Sequence, residues 1–257
     1  MVTVSAAVAA LAERTRPESA AVWDPVGLQL GDPGAEVGTV GVCHEVTEEV
    51  VARMEKEPVD LLVTYHPLLF EPVNRILAGR SPAARAYRLL GAGVNLVVTH
   101  TDFDAAPGGT ADALASTLGL QDFAPFGGDE TAGLPAIGRF GSFHGTLDAL
   151  DARVADAFGA NGLRVSGDRQ RRIERVAVVP GSGAGLIEEA AALADALVTG
   201  DVSHHRTVHA NDLGLAIVDP GHIATERPGM VALVALVADA VTAEVVDLTD
   251  LDPETWS

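Results

Sequence analysis

Short apolar runs alternate along the chain with longer stretches in which apolar residues recur at helical spacing. The runs at 37–43, 61–65, 95–99, 175–179, 196–199, 215–218 and 244–247 are rich in Val and Leu, and each predicts a buried strand. Segments 48–55, 111–118, 147–158, 186–195 and 230–241 carry apolar residues at i, i+3, i+4 and i+7 and predict helices. Continuous apolar strands separated by helices indicate a mostly parallel sheet covered on both faces. The first residues keep helical spacing as far as Glu13 and Arg14 and lack a basic leading stretch, so they predict an amphipathic helix rather than a secretion signal.

The middle of the chain departs from this pattern. Residues 121–143 are rich in Gly and Pro, and the short alternating run at 139–143 predicts an antiparallel strand after a lobe boundary. The expected fold class is α/β, with two α/β lobes of mostly parallel sheet flanked by helices. Residues 1–123 plus 219–257 make the first lobe and residues 124–218 the second. The longest apolar runs, 190–198 and 230–237, fall short of the ~20 residues a membrane span needs.

Composition narrows the function classes. Hydrophobic residues make up 47% and charged residues 21%, the balance of a globular chain. A formal net charge of -19, from 17 basic against 36 acidic residues, repels polyphosphate backbones and anionic lipids. That argues against a general nucleic-acid or membrane binder; beyond it, acidity says little about function. Cys43 is the single cysteine, so no internal disulfide forms and a cytoplasmic location is expected.

The candidate chemistry lies just past the apolar runs. LLVTYHP ends in His66, NLVVTHTDFDA in His100, Asp102 and Asp104, and VGVCHE in His44 and Glu45. ALVTGDVSHH supplies Asp201, His204 and His205, and AIVDPGHIATE supplies Asp219, His222 and Glu226. In an open parallel sheet, ligands bind outside the carboxyl ends of the strands, where loops from several βα units gather. A lone histidine there is usually a satisfied loop residue, but clusters at one edge point to a metal or polar catalytic site. Imidazole with carboxylate, and no cluster of thiolates, suits Zn, Fe, Mn, Ni or Co. Pro228 is tolerated in a first helical turn, so the last long helix is expected to start near Thr225. Were the segment helical already at His222, that residue and Glu226 would share a face.

VVPGSGAGLIEEA lacks the lysine of a Walker loop. It reads as a tight turn into a helix starting near Ala184, or as a helix N-terminus able to hold an anion. No G-x-G-x-x-G follows the first strand, which disfavours a plain dinucleotide-binding reading.

Six segments in order carry a family resemblance: WDPVGLQLGDP, GVCHEVTEEV, DLLVTYHPLLF, THTDFDAAPGG, ALVTGDVSHH and DPGHIATERPG. Together they resemble the NIF-three-like dinuclear metal centre family, often labelled GTP cyclohydrolase I type 2 homologues, in its short form. The resemblance implies a homohexamer built as a trimer of dimers, with one or two divalent transition metal ions per subunit. Paired ions of this type sit about 3.5–4 Å apart and activate water. His66, Asp104, His222 and Glu226 match the family's metal ligands. His100 and His205 match polar groups near the site and, with Glu45, are the candidate acid–base residues. The chain departs from the family where two adjacent histidines are usual: here the first is Tyr65, a phenol with an ordinary pKa of about 10 and a poor ligand unless deprotonated. His44 and Glu45 stand where an apolar residue and an aspartate are usual, and Asp102 where Asn is common. His44 is therefore the candidate replacement imidazole, against the simpler reading that one ion is lost. The implied function is a metal-dependent hydrolase acting on a small molecule, a nucleotide among them; the alternative is a non-catalytic metal-binding ring for storage, delivery or regulation.

Overall fold

The structure, a computed structural model, describes residues 2–251, and it divides into two compact units. The first holds the described residues up to Ala106 and those from Met230 onward; the second is Pro107–Gly229. In chain order the first begins with β1 (Val2–Thr3), α1 (Val4–Thr15), β2 (Gly27–Leu30), β3 (Glu36–Val37) and β4 (Thr39–Cys43). It continues through α2 (Glu48–Lys56), β5 (Leu61–Thr64), α3 (Pro82–Gly91), β6 (Asn95–Val98) and α4 (Thr101–Ala105). The second contains α5 (Thr110–Thr117), β7 (Gln121–Phe126), β8 (Gly138–Thr146), α6 (Leu147–Phe158) and β9 (Arg164–Ser166). There follow β10 (Arg172–Val178), α7 (Ile187–Leu193), β11 (Ala196–Val198), α8 (His204–Asp212) and β12 (Ala216–Asp219). Helix α9 (His222–Ala240) then carries the chain back to the first unit, which ends in β13 (Glu244–Asp247).

The first unit's five-stranded sheet runs β13-β4-β5-β6-β2, parallel throughout except for β2 against β6. Leu61 and Val63 point into one core with Val4 and Leu11 of α1 and Leu233 and Val237 of α9. Leu62 points the other way, into a core with Val50 and Met54 of α2 and Leu89 of α3. Both faces are covered, so both parities of the strand are apolar, which is why these strands read as unbroken runs. Thr47 and Ser81 cap α2 and α3 by accepting the N–H groups of Val50 and Ala84.

The second unit's six-stranded sheet runs β7-β8-β10-β11-β12-β9. Its central strands β10, β11 and β12 are parallel, but β7, β8 and β9 pair antiparallel, so this sheet is more mixed than the pattern predicted. The 139–143 run falls inside β8, antiparallel as its alternation suggests. The divisions lie at 106/107 and 229/230, where the sequence pattern put them at 123/124 and 218/219. The reason is packing: Leu114 of α5 and Leu118 at its C-cap are buried with Ile173 and Val176 of β10.

Asp60 ties β4 to β5. Its Oδ2 accepts from the Gly38 N–H, the Thr39 N–H and the Thr39 hydroxyl, at 2.9, 2.9 and 3.0 Å. Burial pushes this carboxyl up, but those donors outweigh burial and hold it below its ordinary value of 3.8. A depressed carboxyl stabilises the fold above its unfolded value and loses that contribution as pH falls through its folded value. Asp60→Ala should therefore cost about 2–3 kcal/mol at neutral pH, because several donors lose their acceptor. In urea denaturation the gap between wild type and variant should narrow well below 3.8; a gap independent of pH would contradict this role.

Candidate metal centre

Within the first unit, the parallel register aligns three strand ends. Cys43 pairs with Thr64, and Thr64 with Val98, at the last residues of β4, β5 and β6. The backbone pairing continues past them: the Tyr65 and His66 N–H groups donate to the Cys43 and His44 carbonyls at 3.1 and 2.9 Å. The Thr99 N–H donates to the Thr64 carbonyl at 3.1 Å. His44, His66 and His100 are thus delivered side by side. The His44 and His66 rings stack at 4.8 Å between centroids, and His66 lies 5.3 Å from His100. Tyr65 sits among them, 5.5 Å from His44 and 5.2 Å from His100.

Tyr65 is buried, and its hydroxyl donates to Asp104 Oδ1 at 2.5 Å. Asp104 is itself buried on α4, one helical turn past His100. This bond turns the Tyr65 hydroxyl toward Asp104. Asp24, whose side chain is fully buried, fixes His100: its two oxygens lie 3.0 and 3.1 Å from His100 Nδ1. The same carboxylate accepts from the Thr101 N–H and hydroxyl. Burial pushes the Asp24 carboxyl up, but the His100 bond and charge and the Thr101 bonds hold it below the ordinary range. The backbone of His100 is held as well, its N–H donating to Asp102 Oδ1 at 2.7 Å. Burial raises the Asp102 carboxyl despite that bond. Glu45 is half-buried next to His44 and takes part in none of these contacts.

Within the second unit, α9 begins at His222 rather than near Thr225, so His222 and Glu226 do share a face and Pro228 falls in the second turn. His222 Nδ1 lies 2.8 Å from Asp201 Oδ2, and its Nε2 lies 3.1 Å from Glu226 Oε1. A carboxylate on one imidazole nitrogen fixes the ring so that the other faces a ligand. Asp201 holds this pose with a left-handed φ of 58°. Buried Asp219 anchors the neighbourhood, accepting from the Val202 and Gly221 N–H groups at 3.0 and 2.9 Å and pairing with Arg164.

The glycine turn after β10 also serves this pair. The Gly181 N–H donates to Thr225 Oγ1 at 2.9 Å. At φ +63° a Cβ on Gly181 would lie 2.5 Å from Glu226 Oε1 and 3.1 Å from His222 Nε2. Only glycine fits this approach. The following helix begins as a 3-10 turn over Ala184–Leu186 before α7. His205, in contrast, is exposed on α8, its ring edge-on to His204 at 5.4 Å.

His44, His66 and Glu226 form a group of side chains able to hold a metal ion, each offering one ligand atom. Two imidazoles with a carboxylate, and no thiolate, fit a divalent transition metal. Sequence reasoning singled out all three residues. It assigned no role to Asp24, which orients His100, although WDPVGLQLGDP had marked the segment.

Comparisons with known proteins bear on the family and the fold. The model of the family described as Duf34/NIF3 (NGG1p interacting factor 3) matches residues 2–253. A Streptomyces coelicolor protein named GTP cyclohydrolase 1 type 2 homolog is 34% identical over 236 residues, covering 89% of this chain and 83% of its own length. A Clostridium acetobutylicum protein of the same name is 30% identical over 215 residues, covering 82% of this chain and 80% of its own. The crystal structure of Staphylococcus aureus protein SA1388 superposes with a TM-score of 0.88 at 22% identity, over 100% of this chain and 99% of that one.

In the metal-free protein the His222 imidazole is pushed up to about 9, first by its bond to Glu226, against burial, with the Glu226 and Asp201 charges adding. A raised imidazole pKa stabilises the fold fully below the ordinary 6.5 and loses that contribution as pH rises through about 9. Glu226→Gln should bring the His222 titration, followed by proton NMR, back down toward 6.5. An unchanged titration near 9 would show that Glu226 is not the cause.

Proposed function

The chain belongs to the Duf34/NIF3 family, and on that premise we propose that it is a metal-dependent hydrolase acting on a small molecule, with nucleotides the first class to test. The observation that carries this reading is the His44, His66 and Glu226 donor group, with two further imidazoles, His100 and His222, oriented by carboxylates. In the proposed centre Asp104 and His222 complete the coordination. A divalent transition metal (zinc, iron, manganese, nickel or cobalt) held there supplies Lewis-acid polarisation of a water molecule and a substrate oxygen.

The chain's own residues do the rest. Asp201 holds His222 by Nδ1, so that Nε2 is the nitrogen turned to ligation. Asp24 holds His100 by Nδ1 in the same way, and His100 exchanges protons through Nε2 as general acid or base. Glu45 and His205 are the other candidate proton carriers. A homohexamer assembled as a trimer of dimers belongs to this proposal. Exposed Ile76 and Leu77, and exposed Tyr87 and Leu90 one turn apart on α3, support self-association. No helix among the described residues is long and apolar enough to cross a membrane. Buried Cys43 supports a reducing, cytosolic setting.

One observation favours a second reading. The Tyr65 hydroxyl donates into Asp104 and leaves that carboxylate only partly available to an ion. A centre reduced to a single ion suits a non-catalytic metal-binding ring that stores, delivers or senses metal.

Elemental analysis of reconstituted protein should find Glu226→Gln stripped of metal and His44→Ala weakened by more than the ~10–100-fold that loss of an outer-shell partner costs. Wild-type metal content in His44→Ala would remove His44 from the centre. Tyr65→His should raise the metal bound per subunit; no gain would mean that Tyr65 is not what limits the second ion. Turnover of GTP or a phosphoester panel, lost in Glu226→Gln, supports the hydrolase reading, and metal binding without turnover supports the ring.

A further inference from the structure

Two exposed aromatic side chains lie on tied-down loops, and one of them, Trp23, stands beside His100. Trp23 is 53% exposed and Phe70 51% exposed, and their rings meet at 5.8 Å with a tilt of 43°. Large apolar side chains usually lie inside, and an exposed pair on pinned loops is a feature to explain. The pinning is specific. Asp24, next in the chain to Trp23, is bonded to His100 and Thr101, and the Asp24 N–H donates to the Ala21 carbonyl at 2.8 Å. The Ala21 N–H in turn donates to Thr101 Oγ1 at 3.0 Å.

Gln29 of β2 then joins the two loops. Its Nε2 donates to the carbonyls of Pro25 and Leu69, and its Oε1 accepts the Leu69 N–H, each at 3.0 Å. The amide spends its hydrogen bonds on holding the Trp23 loop against the Phe70 loop. The backbone that carries the indole is therefore tied down, and a stacking surface held in advance costs little entropy when a ligand binds.

The platform also leads toward the candidate centre. The Trp23 ring stands edge-on to His100 at 6.4 Å, and His100 lies 5.3 Å from His66. Trp23 thus stands next to the imidazoles of the candidate centre. Neither Trp23 nor Phe70 carries a charge, and the strongly acidic chain gives an anion no help here. The chemistry suited to the surface is a neutral, planar nitrogen heterocycle, because every such ring has a π-face to stack.

We propose that Trp23, backed by Phe70, is the stacking subsite for a heteroaromatic base of the substrate, held by Gln29 and Asp24 beside His100. This deepens the hydrolase reading by giving the substrate a base-like ring, and it rests on that reading only for the ring's being part of a substrate.

Isothermal titration of the metal-loaded protein with guanosine, adenosine and cytidine, and with ribose as control, tests it. At least one nucleoside should bind while ribose does not. Trp23→Ala should weaken that binding about tenfold to a hundredfold, Phe70→Ala should weaken it less, and Trp23→Phe should restore most of it. Metal content should be unchanged in all three variants, which shows that the fold survives. Nucleoside binding equal in wild type and Trp23→Ala, or none of the three binding, overturns the subsite. Turnover separates the two readings: nucleoside binding weakened by Trp23→Ala with no metal-dependent turnover in the wild type supports the subsite alone, and metal-dependent turnover indifferent to Trp23→Ala and Phe70→Ala supports the hydrolase alone.

Discussion

The candidate centre depends first on strand register in the first unit. Parallel pairing of β4, β5 and β6 brings Cys43, Thr64 and Val98 level. The residues that follow, His44, Tyr65 with His66, and His100, are placed together by backbone hydrogen bonds rather than by side-chain preference. Because side chains alternate along a strand, a one-residue slip would turn each histidine to the opposite face. Register is secured by burial of both sheet faces and, at the other end of the strands, by the Asp60 clamp on Gly38 and Thr39.

The second unit reaches a similar end by a different route. There the anchoring falls to loops around a buried carboxylate, Asp219, and to a glycine whose missing Cβ makes room for Glu226 and His222. In both units one imidazole is gripped at Nδ1 by a carboxylate remote in sequence, Asp24 for His100 and Asp201 for His222. This arrangement fixes which nitrogen each ring presents, as a property of the scaffold.

Much of this was legible in the sequence. The buried strands β5, β6, β11 and β12 stand out as apolar runs because both their faces are covered, and His66, His100 and His222 follow such runs closely. Elements without a strong apolar signal were not legible. Helix α8, HHRTVHAND, buries only Ala210, and β9 has no fully buried residue. A start of α9 near Thr225 follows from putting Pro228 in the first turn, whereas the helix begins at His222 and carries Pro228 inside it. The Asp24–His100 bond spans 76 positions and the Gln29–Leu69 bonds 40, and neither leaves a periodic trace in the chain. The Tyr65–Asp104 bond is likewise a tertiary fact, although the tyrosine itself was conspicuous as a departure from the family pattern.

The most direct test of the centre is anomalous diffraction at the metal absorption edge, on crystals of protein purified without added metal or chelator and then reconstituted. The expected result is an ion within about 2.0–2.2 Å of imidazole nitrogens of His44 and His66 and a carboxylate oxygen of Glu226. An ion bound elsewhere, or coordination that leaves out His44 or Glu226, would contradict the assignment.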